Sequence, residues 1–181
     1  MELITYGLGD ISIRHSMIRL FGYGNISKQD IFLFLQNEKT LNFDQASAVL
    51  SADRCCLYIE GFKAKRILLN SEHFLITLIA VAPHNFVERN YLCSGYAQHL
   101  QGLRDLLQRN VAKSIPVFEG AKIIIDYFHK HQILEEDSVN LYILLYNLLI
   151  CHSNYFLVLE DTDSVDGMLF NSFMGVTRHY A

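Results

Sequence analysis

Two residues near the middle of the chain, Cys93 and His99, are of the types that nucleophilic catalysis uses. A cysteine attacks as its thiolate, so it needs a base within hydrogen-bond reach and often a third group that orients the base. Positions six apart on a helix are separated by about 600° around its axis, so these side chains leave opposite flanks. The spacing argues against a catalytic pair and favours Cys93 as a small apolar core residue.

The chain has eight histidines and four cysteines, which are common zinc ligands. No two cysteines have the C-x-x-C spacing of structural zinc sites. His129 and His131 are two positions apart, and side chains at that spacing on a helix point in different directions. We interpret them as surface histidines at a helix end, where positive charge suits the helix dipole.

The acidic turn from Asp161 to Gly167 invites comparison with a calcium-binding loop. The EF-hand loop requires an oxygen ligand at position 5, glycine at position 6 and glutamate at position 12. Those positions hold Val165, Asp166 and Ser172. The sequence therefore predicts a solvated acidic turn, and we expect neither a metal ion nor any other cofactor.

Other catalytic signatures are also missing from the sequence. There is no G-x-S-x-G nucleophile elbow and no P-loop, and the segment Tyr6–Asp10 lacks the third glycine and the preceding strand of a dinucleotide-binding turn. We therefore predict that the protein is not an enzyme. An enzyme whose site leaves no sequence motif stays the second alternative.

The composition is unusually apolar for so few charges: hydrophobic residues make up 51% of the chain and charged residues 19%. Segment 138–159 has no charged residue, but Asn140, Asn147 and the polar turn at 152–154 interrupt it. Its apolar part is shorter than the roughly 20 residues that a membrane span needs, so we expect no span. The surplus apolar content indicates a surface for a partner protein or for a second copy of the chain.

The cysteines and the first residues of the chain predict the compartment. Residues 1–13 lack the basic-then-apolar layout of a signal peptide. The four cysteines have no disulfide-framework spacing, and the adjacent Cys55 and Cys56 cannot bridge each other without strain. Reduced thiols are typical of a cytoplasmic protein, which is the localisation we expect.

Apolar periodicity and turn signals predict the elements that would position these residues. Three N-terminal helices are expected at 11–21, at 27–37 and from either Asn42 or Asp44 to about 52, the last with Ala46, Val49 and Leu50 facing inward. Further helices are expected at 92–107, 117–128 and 138–151, with a short helix around 168–173. Strands are expected at 55–59, 65–69, 73–81 and 155–159, the first three forming an antiparallel meander.

These elements predict a single α+β domain, with an antiparallel sheet of about four strands packed against about six helices. Its expected parts are a helical N-terminal part at 1–53, a strand meander at 54–82, helices plus a returning strand at 84–160 and an irregular tail at 161–181. The helix at 138–151 is apolar nearly all round, so we expect it in the core.

The order of three helices and a hairpin over residues 11–70 resembles a winged helix, with residues 61–66 as the wing. A DNA-reading helix needs Arg, Lys, Asn or Gln at base edges and phosphates. The third helix offers Gln45 but no basic residue, and Asp44 and Asp53 would repel phosphate. With a pI of about 6.0, no specific nucleic acid is expected. A winged-helix-like nucleic-acid-binding regulator stays the first alternative.

We therefore predict a non-enzymatic adaptor or chaperone-like module that presents an apolar surface to a protein partner. Small acidic adaptors that escort substrates in bacterial secretion systems have this profile, but composition alone does not single them out. We expect partner contacts at the hairpin tip and on the outer face of the helix at 92–107. The candidate partner-binding residues are Lys63, Lys65, Arg66, Gln101, Arg104 and Gln108.

Overall fold

The computed structural model describes residues 1–5, 10–23, 25–65, 93–134, 139–159 and 170–178. These residues form seven α-helices, two short 3-10 helices at Tyr96–His99 and Cys151–Ser153, and two β-strands. In chain order the main elements are β1 (Glu2–Thr5), α1 (Ile11–Leu20), α2 (Lys28–Leu35), α3 (Phe43–Lys65), α4 (Leu100–Ala112), α5 (Val117–Lys130), α6 (Val139–Ile150), β2 (Tyr155–Val158) and α7 (Phe170–Arg178).

Helices dominate the described residues, so the expected α+β fold with a four-stranded sheet is wrong. Within the described ranges the sheet has two strands, β1 and β2, which pair antiparallel with Leu3 opposite Leu157. The strand expected at 155–159 is confirmed as β2. Its partner is the N-terminal strand β1, a pairing that the sequence did not predict, because no local pattern indicates which distant strand a given strand pairs with.

The largest local correction concerns residues 55–59, which lie inside α3 and not in a strand. A short apolar run cannot be assigned to strand or helix by periodicity alone. Here Cys55, Cys56 and Ile59 continue at helical spacing the buried face that begins with Ala48 and Val49. The other two expected strands, 65–69 and 73–81, lie outside the described residues except for Lys65, the last residue of α3.

The length of α3 also removes the basis of the winged-helix resemblance. Residues 61–65, which were expected at the tip of a hairpin, continue the helix α3. A wing therefore does not follow the third helix at this point, and Arg66 lies outside the described residues.

The predicted helix starts are confirmed by side chains that accept hydrogen bonds from the first free backbone amides. Asp10 caps α1 through the Ser12 amide at 2.8 Å. Ser27 caps α2 through the Asp30 amide at 3.1 Å. The Asn42 side chain accepts from the third residue of α3, Gln45, at 2.9 Å. Caps are local, so the sequence alone reveals them.

The core is built around α6, whose residues from Leu141 to Leu148 are all buried. This confirms the prediction for the helix at 138–151. The helix packs against α5, α1 and β2. Its one buried amide, Asn147, binds β2 twice: Oδ1 accepts from the Leu157 amide at 2.7 Å, and Nδ2 donates to the Leu157 carbonyl at 3.1 Å. These two bonds satisfy both backbone groups of Leu157 on the edge of β2 that faces away from β1.

An ion pair joins α1 to α3. The guanidinium of Arg14 donates to Asp53 Oδ1 from Nε at 2.9 Å and from Nη2 at 2.7 Å. Arg14 is buried, so the carboxylate balances a charge that would otherwise be costly in the core. Because the pair spans the α1–α3 contact, it helps to determine which face of α3 looks inward.

The last described helix, α7, packs against both α5 and α6. The His129 ring stacks on Phe170 with ring centroids 3.9 Å apart, and Phe173 meets Tyr146 edge-on at 5.9 Å. The tail therefore contains a longer helix than the one expected around 168–173. Across the described ranges, none of the helices combines the length and the apolar character needed to cross a membrane.

Candidate protein-binding surface on the third helix

The third helix has apolar residues on two opposite faces. One face is buried against the core and consists of Ala48, Val49, Ala52, Cys55, Cys56 and Ile59. On the other face Phe43 is 83% exposed, Leu50 49% and Leu57 58%. Residues seven apart differ by only about 20° around a helix axis, so these three form one line, which we name the α3 stripe.

The α3 stripe differs from ordinary surface exposure in its spacing. Single apolar side chains scattered over a surface are normal and need no explanation. Large apolar residues repeated every seven positions keep to one side of a helix, and such a line supplies one of the two apolar positions per seven residues through which helices associate in coiled coils. The exposed residues Arg54 and Tyr58 flank the stripe, so an apolar line with a mixed rim faces outward.

The opposite face of α3 is buried in the core and so anchors the helix. Its two cysteines are not reactive. Burial raises the pKa of the Cys56 thiol to about 12, although the nearby Arg14 guanidinium favours the thiolate. Burial raises the pKa of the Cys55 thiol well above its usual value too. Both cysteines are therefore neutral thiols at physiological pH, and neither is activated as a nucleophile.

One residue of the stripe lies on the side opposite to the one that periodicity predicts. Leu50 was expected to face inward, but Ala48 and Val49 are the buried neighbours. The signal that would have revealed the stripe is the seven-residue spacing of Phe43, Leu50 and Leu57. That spacing is meaningful only within one continuous helix, and the strand expected at 55–59 conceals it.

Five of the six predicted partner-binding residues are described and lie on two helices, whereas Arg66 is outside the described residues. Gln101, Arg104 and Gln108 are exposed on α4, where Gln101 Nε2 also donates to Asp105 Oδ1 at 2.8 Å. Lys63 and Lys65 belong to the last turn of α3. Since α3 packs chiefly against α1 and α4 chiefly against α5, the two groups have different structural neighbours.

A group of two histidines and a tyrosine lies where the C-terminal end of α5 meets the 3-10 helix before α4. The rings of His99 and His131 have centroids 4.5 Å apart, and the Tyr127 ring lies 4.4 Å from His131. Tyr127 Oη donates to the His99 carbonyl at 3.0 Å. Gly102 leaves room for this tyrosine, because a Cβ at that position would collide with the hydroxyl.

The two histidines do not form part of a recognisable metal site. Among the described residues, no three histidine, cysteine, aspartate or glutamate side chains converge so as to hold a metal ion. Desolvation lowers the pKa of His131, and the neighbouring His99 and Lys130 lower it further. The pair is therefore arranged to disfavour charge on His131.

This arrangement predicts a loss of stability in mild acid. Folding lowers the pKa of His131, so the neutral ring contributes to the free energy of unfolding above the unfolded-state pKa of about 6.5. This contribution is lost as the pH falls below that value and through the lower folded-state pKa. We expect the melting temperature to fall between about pH 7.5 and about pH 5.5, and His131→Gln to reduce that fall. Melting curves at both pH values test this. His99→Gln is a second variant, because it removes a neighbour whose positive charge lowers the pKa of His131. An undiminished fall in both variants would contradict the prediction.

Comparison with known proteins found no matching family model, no similar curated protein and no similar solved structure. The candidate site therefore depends on the geometry of this chain alone. Between the two features described, the α3 stripe is the stronger candidate, because it exposes large apolar side chains in an ordered line. The paired histidines are explained by their local packing.

Proposed function

We propose that this protein is a non-enzymatic protein-binding module, of the adaptor or chaperone-like kind, and that the α3 stripe is its binding surface. The observation that carries the proposal is the line of Phe43, Leu50 and Leu57, each about half exposed or more on a helix anchored by its other face. A helix presenting anchors at this spacing is suited to pairing with another helix.

The size of the stripe indicates reversible binding. Full burial of a leucine or phenylalanine side chain contributes roughly 1.5–3 kcal/mol relative to full exposure. The three stripe residues are already partly covered, so together they contribute a few kcal/mol. Association itself costs at least about 4 kcal/mol, so contacts outside the stripe must add to the affinity. A module that binds and releases its partner fits these magnitudes better than a permanent complex does.

The proposed place of action is the cytoplasm. All four cysteines are free thiols, and Cys55, Cys56 and Cys151 are buried. Free thiols persist in reducing compartments, which supports this localisation. The exposed residues Gln101 and Arg104 on α4 remain a second predicted surface, and the experiment below includes them as the alternative.

Site-specific cross-linking in living cells tests the binding surface. A photo-reactive amino acid at position 57 of the full-length chain should form a covalent adduct with a protein. Adding Leu50→Glu should reduce that adduct about tenfold, because the glutamate would be desolvated in the interface. Leu50 is half exposed in the unbound protein, so circular dichroism should show a normally folded variant.

The matched control changes the α4 surface, with Arg104→Glu and Gln108→Glu in the same photo-reactive chain. Because these residues are exposed on a different helix, the adduct at position 57 should persist. An adduct that survives Leu50→Glu and disappears in the α4 variant would place the binding surface on α4 and overturn the proposal.

A further inference from the structure

We infer that the α3 stripe binds the α3 stripe of a second copy of this chain, with the two helices antiparallel about a two-fold axis. This inference rests on the proposed function and names the partner. An isologous interface uses the same patch on both copies, so the patch must complement itself. Both the apolar line and the charges along α3 meet that requirement.

The formal charges of α3 are separated along its length. The first half, residues 43–53, contains Asp44 and Asp53 and no basic residue. The second half, residues 54–65, contains three basic residues, Arg54, Lys63 and Lys65, against the single acidic Glu60. A parallel pair would place Asp44 beside Asp44 and Arg54 beside Arg54, whereas an antiparallel pair brings Arg54 of each helix near Asp44 of the other. When Leu50 lies on the two-fold axis, Lys63 and Lys65 lie past the first residue of the other α3.

The apolar line fixes the register of the antiparallel pair. With Leu50 on the two-fold axis, each Phe43 lies opposite Leu57 of the second copy, and the two Leu50 side chains meet. Arg54 of one copy then lies two positions, or about 3 Å along the axis, from the level of Asp44 in the other. Both residues are exposed, whereas Asp53 already binds Arg14.

The dimer should be weak. A helix of 23 residues is about 35 Å long, and one of its faces offers less area than the roughly 800 Å² per partner that stable complexes bury. The protein should therefore be monomeric when dilute and dimeric when concentrated. That behaviour is measurable by sedimentation equilibrium across a range from low to several hundred micromolar protein.

The first test compares the full-length protein with two variants by sedimentation equilibrium. Leu50→Glu places two carboxylates against each other on the two-fold axis, so it should weaken the dimer at least about tenfold. The control Gln29→Glu adds the same charge on the exposed face of α2, outside both proposed surfaces, and should leave the dimer unchanged. A wild-type protein that stays monomeric throughout, or a dimer that Leu50→Glu leaves intact, would overturn the inference.

The second test measures the direction of the helices by disulfide cross-linking. In the antiparallel register, a mixture of Phe43→Cys and Leu57→Cys chains should form a cross-linked dimer, because these positions face each other. Either variant alone should cross-link no more than the wild type, whose own cysteines provide the background. Cross-linking of each variant with itself would indicate a parallel pair and contradict the antiparallel arrangement.

The two proposals fail in different ways. A protein that is monomeric in sedimentation, yet forms an adduct at position 57 with a different protein, would overturn the dimer and keep the binding surface. If the adduct mass instead equals two copies of this chain, both proposals are supported. An adduct insensitive to Leu50→Glu, combined with a monomer in sedimentation, would remove both.

Discussion

Leu144→Asp should abolish the cooperative thermal unfolding of this protein. Leu144 is 1% exposed and lies in α6, which packs against α5, α1 and β2. A buried charge without a partner costs several kcal/mol, even after the surroundings relax. A domain of this size is stable by only about 5–15 kcal/mol, so the substitution consumes most of that margin. Circular dichroism followed during heating measures the effect.

Two controls separate the buried charge from other effects of the substitution. Leu144→Met preserves the volume and the apolar character, so it should lower the stability by less than about 1.5 kcal/mol. Leu57→Asp introduces the same charge on the exposed α3 stripe and should melt close to the wild type. A Leu144→Asp protein that melts at the wild-type temperature would show that α6 is not in the core.

Asn147→Leu should cost about 2–6 kcal/mol of unfolding free energy, although leucine has nearly the same size and is more apolar. Asn147 is fully buried, and its amide is the hydrogen-bond partner of both the N–H and the carbonyl of Leu157. A buried backbone group without a partner costs roughly 1–3 kcal/mol, and the substitution leaves two.

Urea denaturation measures this cost, with Asn140→Leu as the matched control on the same helix. Asn140 is only partly buried, so its replacement should shift the midpoint little. For Asn147→Leu the midpoint should fall with an unchanged slope, which indicates lost stability and not a changed unfolded state. Equal midpoints for the two variants would mean that the Asn147 hydrogen bonds contribute nothing net.

Asn147 has one meaning in the sequence and another in the structure. In the sequence it counts as a polar interruption that argues against a membrane span. In the structure its side chain forms hydrogen bonds with both backbone groups of Leu157 in β2. Its partner lies ten positions away, beyond the reach of helical or strand periodicity, so only the tertiary structure identifies this role.

Features with local causes can be predicted from the amino-acid sequence. The starts of α1, α2 and α3 follow from side chains that cap the next few amides. The burial of α6 follows from an apolar surface all round it, which has no stable place in water. The strand at β2 follows from a short run of strand-forming residues bounded by a polar turn.

The tertiary structure alone decided the features that depend on which segments meet. β2 pairs with the N-terminal strand, and the rings of His99 and His131 come together from distant parts of the chain. Residues 55–59 become helical because their inner side chains continue a face that packs against α1. That packing also turns Leu50 and Leu57 outward, and so creates the α3 stripe. Short apolar runs suit either a strand or a buried helix, and only the surface they pack against selects between the two.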